Sequence, residues 1–158
     1  MIKTLVSNIV ELRKPCARVE SKEDVKQIIQ DLRDTLAAHP EGIGLSANQL
    51  GYNKQISYLR IPTKENKEKK TLEYLETIMI NPEIIERGKP LKVINEGCLS
   101  FPGARAITRR YNFVAVHYFD ENFKEFTNLF VDMQAFAALH EIDHLRGITI
   151  YDRKWVAR

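Results

Sequence analysis

The segment His140-Glu141-Ile142-Asp143-His144 limits what this chain can become more than any other part of it. Histidines four residues apart reach a common point only from one face of an α-helix, so the spacing predicts a helix through them. Such a pair can bind one cation, and Glu141 beside it can accept a proton from water activated there. Asp132 is placed to cap this helix, which then runs to Arg146, and Gly147 is placed to end it. Upstream, Val114, Val116 and Tyr118 alternate with Phe113, Ala115, His117 and Phe119, a strand over 112–120 with apolar groups on both faces. Asp120-Glu121-Asn122 supplies a turn, and 125–131 reads as the returning strand of a hairpin.

Toward the N-terminus, Val25, Ile28, Ile29, Leu32 and Leu36 recur at helical spacing behind a capping-box-like Ser21 and Asp24. The pattern predicts an amphipathic helix over about 22–39, stopped by Pro40 and Gly42. Short β-prone segments at 55–60 and 77–80 flank Lys64-Glu65-Asn66-Lys67-Glu68-Lys69-Lys70, a mixed-charge stretch that reads as a solvated connection rather than an RNA contact. Antiparallel runs of strands with two helices favour an α+β fold over a doubly wound sheet. With 158 residues and no repeat or linker, one domain over 1–158 is expected.

A net charge of +3, from 24 basic and 21 acidic residues, is too balanced to require direct nucleic-acid binding. No run nears the roughly 18 apolar residues of a membrane span, and the apolar stretch in the opening residues is too short for a signal peptide. These features predict a cytoplasmic protein with no membrane partner. A disulfide between Cys16 and Cys98 is not expected there, so each thiol is core, metal ligand or nucleophile.

Two imidazoles need a third ligand. Downstream of His144 there is no His, Glu or Cys, and Asp152 is the sole carboxylate. Upstream, Cys98 lies in Glu96-Gly97-Cys98-Leu99-Ser100, and one thiolate with two imidazoles leaves an open position for water, as catalytic sites require. Gly42-Ile43-Gly44-Leu45-Ser46-Ala47-Asn48-Gln49 lacks the Lys-Ser or Lys-Thr of a phosphate loop. Its terminal Gln49 amide could instead stabilise oxyanion charge near a metal-bound carbonyl.

Together GIGLSANQ at 42–49, EGCLS at 96–100 and HEIDHLRG at 140–147 resemble, in order and separation, the three motifs of the peptide deformylases. The resemblance implies antiparallel β-sheets packed around a central HExxH-bearing helix, with one N-terminal amphipathic helix. It implies a hydrolase that removes the formyl group from the formyl-methionine of newly synthesised polypeptides. The cofactor expected is one divalent ion, Fe2+ by family habit and replaceable by Zn2+, Ni2+ or Co2+. Cys98, His140 and His144 then look like the metal ligands and Glu141 like the general acid/base acting on metal-bound hydroxide. Gln49 and the backbone N–H of Leu99 look like the donors to the formyl oxygen.

By the same resemblance, Ile43 and Gly44 are substrate contacts by strand addition, and Arg105 and Glu96 belong to the peptide-binding cleft. Helix geometry sets Met133, Phe136 and Ala137 on the face leading to His140, where with Ile43 and Ile94 they could form an apolar pocket for the methionine side chain, the other reading of Met133 and Phe136 being plain hydrophobic core. The expected partners are N-formyl-methionyl nascent peptides, with transient ribosome contact, and the expected state is a monomer. The chain stops at Arg158, where many bacterial members continue into a long C-terminal helix, so it looks like a short form from a bacterial, phage or organellar source. Leu139 stands where glutamine is usual and Ser46 where alanine is usual. The rivals are a metallopeptidase and a binding module whose metal is closed by a fourth ligand drawn from Cys16, His39 or His117.

Overall fold

The computed structural model describes residues 1–21 and 23–156. Its strands are β1 (Gly44–Ser46), β2 (Ile56–Asn66), β3 (Thr71–Gly97), β4 (Arg105–Phe119) and β5 (Glu125–Val131), and each pairs antiparallel with the next. They join in one sheet of order β1-β2-β3-β4-β5 rather than several, flanked by α1 (Ile9–Leu12), α2 (Lys26–Ala37) and α3 (Met133–Leu145). This is the α+β arrangement expected from the sequence.

Period-two alternation places apolar groups on both faces of the sheet. Ile56, Tyr58, Ile78 and Ile80 pack with Ile29, Leu32 and Leu36 of α2. Leu59, Ile61 and Met79 turn the other way and pack with Val114, Val116 and Tyr118 of β4 and with Ala135, Ala138, Leu139 and Ile142 of α3. Because α3 presses on this second face, the segment from His140 to His144 is fixed against strands that carry the rest of the site.

Strand lengths depart from the expectation. β2 continues through Asn66 and β3 starts at Thr71, so residues 64–66 of the lysine-rich stretch are strand and 67–70 the turn. Backbone pairing at Glu65↔Leu72 and Asn66↔Thr71 carries the ribbon outward with no apolar face to announce it. β3 pairs first with β2 and then, from Ile80, with β4, and register shifts bracket the change of partner near Pro82 and at Asn81, whose φ is 51°. β4 therefore begins at Arg105, seven residues before position 112, because the second half of β3 needs a partner.

The helix ends differ too. Val25, and not Ser21, is the N-cap of α2 and makes no side-chain cap, while Asp24 Oδ1 accepts the Lys26 N–H at 3.1 Å; residue 22 lies outside the described residues. Asp132 precedes α3 with φ 51° and no side-chain cap. Gly147 ends α3 as expected. Its N–H reaches His144 O at 3.0 Å and the Ile148 N–H reaches Asp143 O at 2.9 Å, the paired bonds of a Schellman motif, with φ 77° at the glycine. Among the described residues no helix is long and apolar enough to cross a membrane.

Candidate metal centre

Residues 98, 140 and 144 meet because the end of the β3–β4 hairpin lies over the last turns of α3. Cys98 Sγ stands 3.3 Å from His144 Nε2, which stands 3.1 Å from His140 Nε2. Among the described residues this is the one group of three or more His, Cys, Asp or Glu side chains whose ligating atoms converge, all within 4.8 Å. Three such atoms facing one another suit a shared cation better than one another, since each offers a lone pair. Cys16, His39 and His117 stand apart: His117 pairs with Glu125, and His39 Nδ1 with the Thr35 carbonyl.

The orientation of His140 follows from its neighbours. Burial works against its charged form, but Cys98 and Glu96 outweigh it and raise the His140 pKa well above the ordinary value. Burial also opposes ionisation of Glu96, yet His140 and Arg110 hold that carboxyl down at about 2. An ionised carboxylate only accepts, so His140 Nδ1 donates to Glu96 Oε2 at 2.9 Å and Nε2 is left to face Cys98 and His144. His144 is buried and its pKa is pushed well down, by burial first and by His140 second; its Nδ1 has no partner among the described residues.

Glu141 is 3 % exposed, and burial raises its carboxyl to about 7 against the pull of His140 and the Ser46 hydroxyl. Among the described residues its Oε2 has no hydrogen-bond partner, and its Oε1 lies 3.9 Å from His140 Nε2. A carboxyl poised near neutrality beside three ligating atoms is suited to moving a proton. Gln49, in the 3-10 turn Ala47–Leu50, directs Nε2 toward Ser100 Oγ at 3.0 Å and Cys98 Sγ at 3.7 Å.

These groups line one cleft of about 1020 Å³. Its walls include Ile43, Gly44, Gln49, Ile94, Glu96, Cys98, Leu99, Arg105, Met133, Phe136, Ala137, His140 and Glu141, and His144 lies buried behind them. Two glycines make the approach close: a Cβ on Gly42 would sit 2.7 Å from Leu99 Cδ1, and one on Gly97 would sit 3.1 Å from Arg105 Nη1. Arg105 folds back across Gly97 and donates to the Asn95 carbonyl at 2.6 Å. Met133 is half exposed at the first turn of α3, whereas Ala137 is buried. Glu96 reaches the cleft wall, but its carboxylate is committed to His140, Thr108 and Arg110 rather than open to a substrate. Leu139 packs into the apolar cluster between α3 and the sheet.

Sequence reasoning missed what supports the centre. Buried Arg110 holds both oxygens of Glu96 and also donates to Asp143, which Arg153 grips through both its oxygens. A signal existed in β4, where Ala106, Thr108 and Arg110 are the buried alternates. An arginine in phase with inward positions asks for a buried acid.

The family model described as Polypeptide deformylase matches residues 3–156. The peptide deformylase of Chlorobaculum parvum is 37% identical over 89% of this chain and 71% of its own length. Among solved structures, PDF from the Vibrio parahaemolyticus bacteriophage VP16T in complex with actinonin is 36% identical with a TM-score of 0.81, covering 94% of this chain and 100% of that one. Peptide deformylase from Ehrlichia chaffeensis is 28% identical with a TM-score of 0.85, covering 98% of this chain and 89% of that one. On the family match over nearly its whole length and this level of identity, the chain belongs to the polypeptide deformylase family.

Proposed function

We propose that this chain, acting as a single catalytic domain, hydrolyses the formyl group from formyl-methionyl nascent peptides at a divalent ion held by Cys98, His140 and His144. The observation that carries the reading is the convergence of those three ligating atoms beside a buried, unpartnered carboxylate oxygen of Glu141. A divalent ion in that donor set supplies Lewis acidity, acidifying water and polarising a carbonyl. Fe2+ is the expected native ion, with Zn2+, Ni2+ or Co2+ able to replace it in the same donors.

Around it the chain's own groups have separate tasks. Gln49 Nε2 and the Leu99 N–H meet negative charge as it develops on the formyl oxygen, each donor worth about 2.7 to 4 kcal/mol in such a role. Glu141 takes the proton of the attacking water and returns it to the departing methionine amine. The peptide extends along the edge of β1 at Gly44 that faces away from β2, with Arg105 in the wall of the same cleft. Ile43, Ile94, Met133, Phe136 and Ala137 enclose the methionine side chain. The protein works as a cytoplasmic monomer, in transient contact with the ribosome.

The test is formate release from formyl-Met-Ala-Ser by anaerobically purified, metal-quantified protein, beside Glu141→Ala and an unformylated peptide. Release from the native protein and a fall of at least about a hundredfold in the variant are expected. Cleavage of the unformylated peptide without formate release would point to a metallopeptidase instead, and neither activity in fully metallated protein would point to a structural site. Loss of activity in air, prevented by nickel substitution, is expected of the iron form.

A further inference from the structure

A glutamine side chain can place its oxygen or its nitrogen in either of two directions, and only one puts donors into the cleft. Ser46 decides which. It is completely buried, and both its backbone N–H and its hydroxyl lie 3.0 Å from Gln49 Oε1. The backbone N–H can only donate, so an oxygen must face it, and the hydroxyl can donate to that same oxygen. Turned over, the amide would set its NH2 against the Ser46 N–H, two donors facing each other with no water between. The nitrogen therefore faces Ser100 Oγ and Cys98 Sγ. With alanine at this position, the backbone N–H alone would hold the oxygen.

We propose that the Ser46 hydroxyl is a positioning group that fixes the Gln49 amide with Nε2 toward the metal centre, and so sets how well this chain stabilises charge on the formyl oxygen. The inference rests on the deformylase reading with Gln49 as a donor. Ser46 shares a strand face with Gly44, over which the Glu141 carboxyl lies, so the hydroxyl has a second neighbour, Glu141. The two neighbours make different demands on one hydroxyl proton, and the experiment has to separate them.

A double-mutant cycle does so, using metal-matched protein and formate release from formyl-Met-Ala-Ser. Ser46→Ala is expected to lower kcat about fivefold, the worth of one buried neutral hydrogen bond, with KM little changed and the thermal midpoint lowered by only a few degrees. In a Gln49→Ala background the same substitution should change kcat by less than about twofold, because the group it positions is gone. An equal fall in both backgrounds would assign Ser46 to Glu141 or to packing and overturn the proposal. So would an unchanged kcat in Ser46→Ala alone. Native protein that releases no formate removes the deformylase reading and this inference with it, whereas an active native protein with an indifferent Ser46 removes only the inference.

Discussion

Glu96 Oε2 accepts from His140 Nδ1 at 2.9 Å, while Arg110 holds both oxygens of the same carboxylate at 2.8 and 3.0 Å. The ring is thereby fixed in the tautomer that presents Nε2 to Cys98 and His144. Glu96→Gln keeps the shape but lets an amide NH2 face the ring nitrogen or Arg110. Metal affinity is expected to fall by about tenfold to a hundredfold, the usual effect of removing an outer partner of a ligating histidine. Competition against a chromophoric chelator measures it, and an affinity within twofold of native would show that Glu96 does not orient the ligand.

Gly44 matters to Glu141 in a way no other residue could. A Cβ on Gly44 would lie 3.0 Å from both Cγ and Oε1 of Glu141, so any side chain displaces the Glu141 carboxyl by a few tenths of an ångström. Gly44→Ala should lower kcat by roughly tenfold while the fold tolerates the change, because small displacements of a reacting group are costly. Steady-state kinetics at matched metal content, with a thermal melt as control, check this. An unchanged kcat would mean that Glu141 has room to spare.

What the sequence revealed depended on which interactions are local. The helix through His140 and His144, the hairpin strand over 125–131 and the stop at Gly147 are written in i, i+4 spacing, period-two alternation and a single glycine, all readable within a few residues. The convergence of Cys98, His140 and His144 was legible because few residue types offer metal-ligating atoms, and Cys98 was the thiol in a glycine-bearing stretch. The long strands were not legible. Residues 83–97 of β3 become strand by pairing with β4, a partner whose own first half alternates in burial but sets polar Thr108 and Arg110 at the inward positions and Ile107 outside, so no apolar alternation marks it. The network from Arg153 through Asp143 and Arg110 to Glu96 was hidden for the same reason: its members lie on β3, β4, α3 and the residues after it, and only the tertiary fold makes them neighbours.

At the end of α3, Gly147 combines a left-handed backbone with no space for a methyl. Its φ is 77°, and a Cβ there would sit 2.3 Å from the Arg13 carbonyl oxygen. Gly147→Ala should therefore destabilise the fold by about 2 kcal/mol or more, the backbone strain and the clash adding. The same helix end holds His144 of the candidate metal centre, since Gly147 N–H bonds to His144 O. Urea unfolding of metal-free protein isolates the stability effect from metal binding. A loss under about 0.5 kcal/mol would mean that the Arg13 segment moves aside freely.

Cys16 differs from Cys98 in lying outside the centre, buried at 7 % exposure where its N–H bonds to Leu145 O at 2.9 Å. Burial lifts its thiol from the ordinary 9.0 to about 11, against a small opposing effect of the Lys54 backbone. The folded state thus holds this proton more tightly than the unfolded chain does. The associated stabilisation is complete below about pH 9 and is lost as the pH rises through about 11, because only the unfolded chain gains a thiolate in that window. Stability should fall there with a slope of at most about 1.4 kcal/mol per pH unit from this group, and Cys16→Ala should flatten the curve relative to native protein. At pH 8, a thiol reagent applied to metal-free protein should modify Cys98 promptly and Cys16 only on unfolding. Mass spectrometry of the labelled peptides distinguishes the two sites. Equal labelling of both in the folded state would show that the segment carrying Cys16 opens readily, and would remove the reason for the alkaline limb.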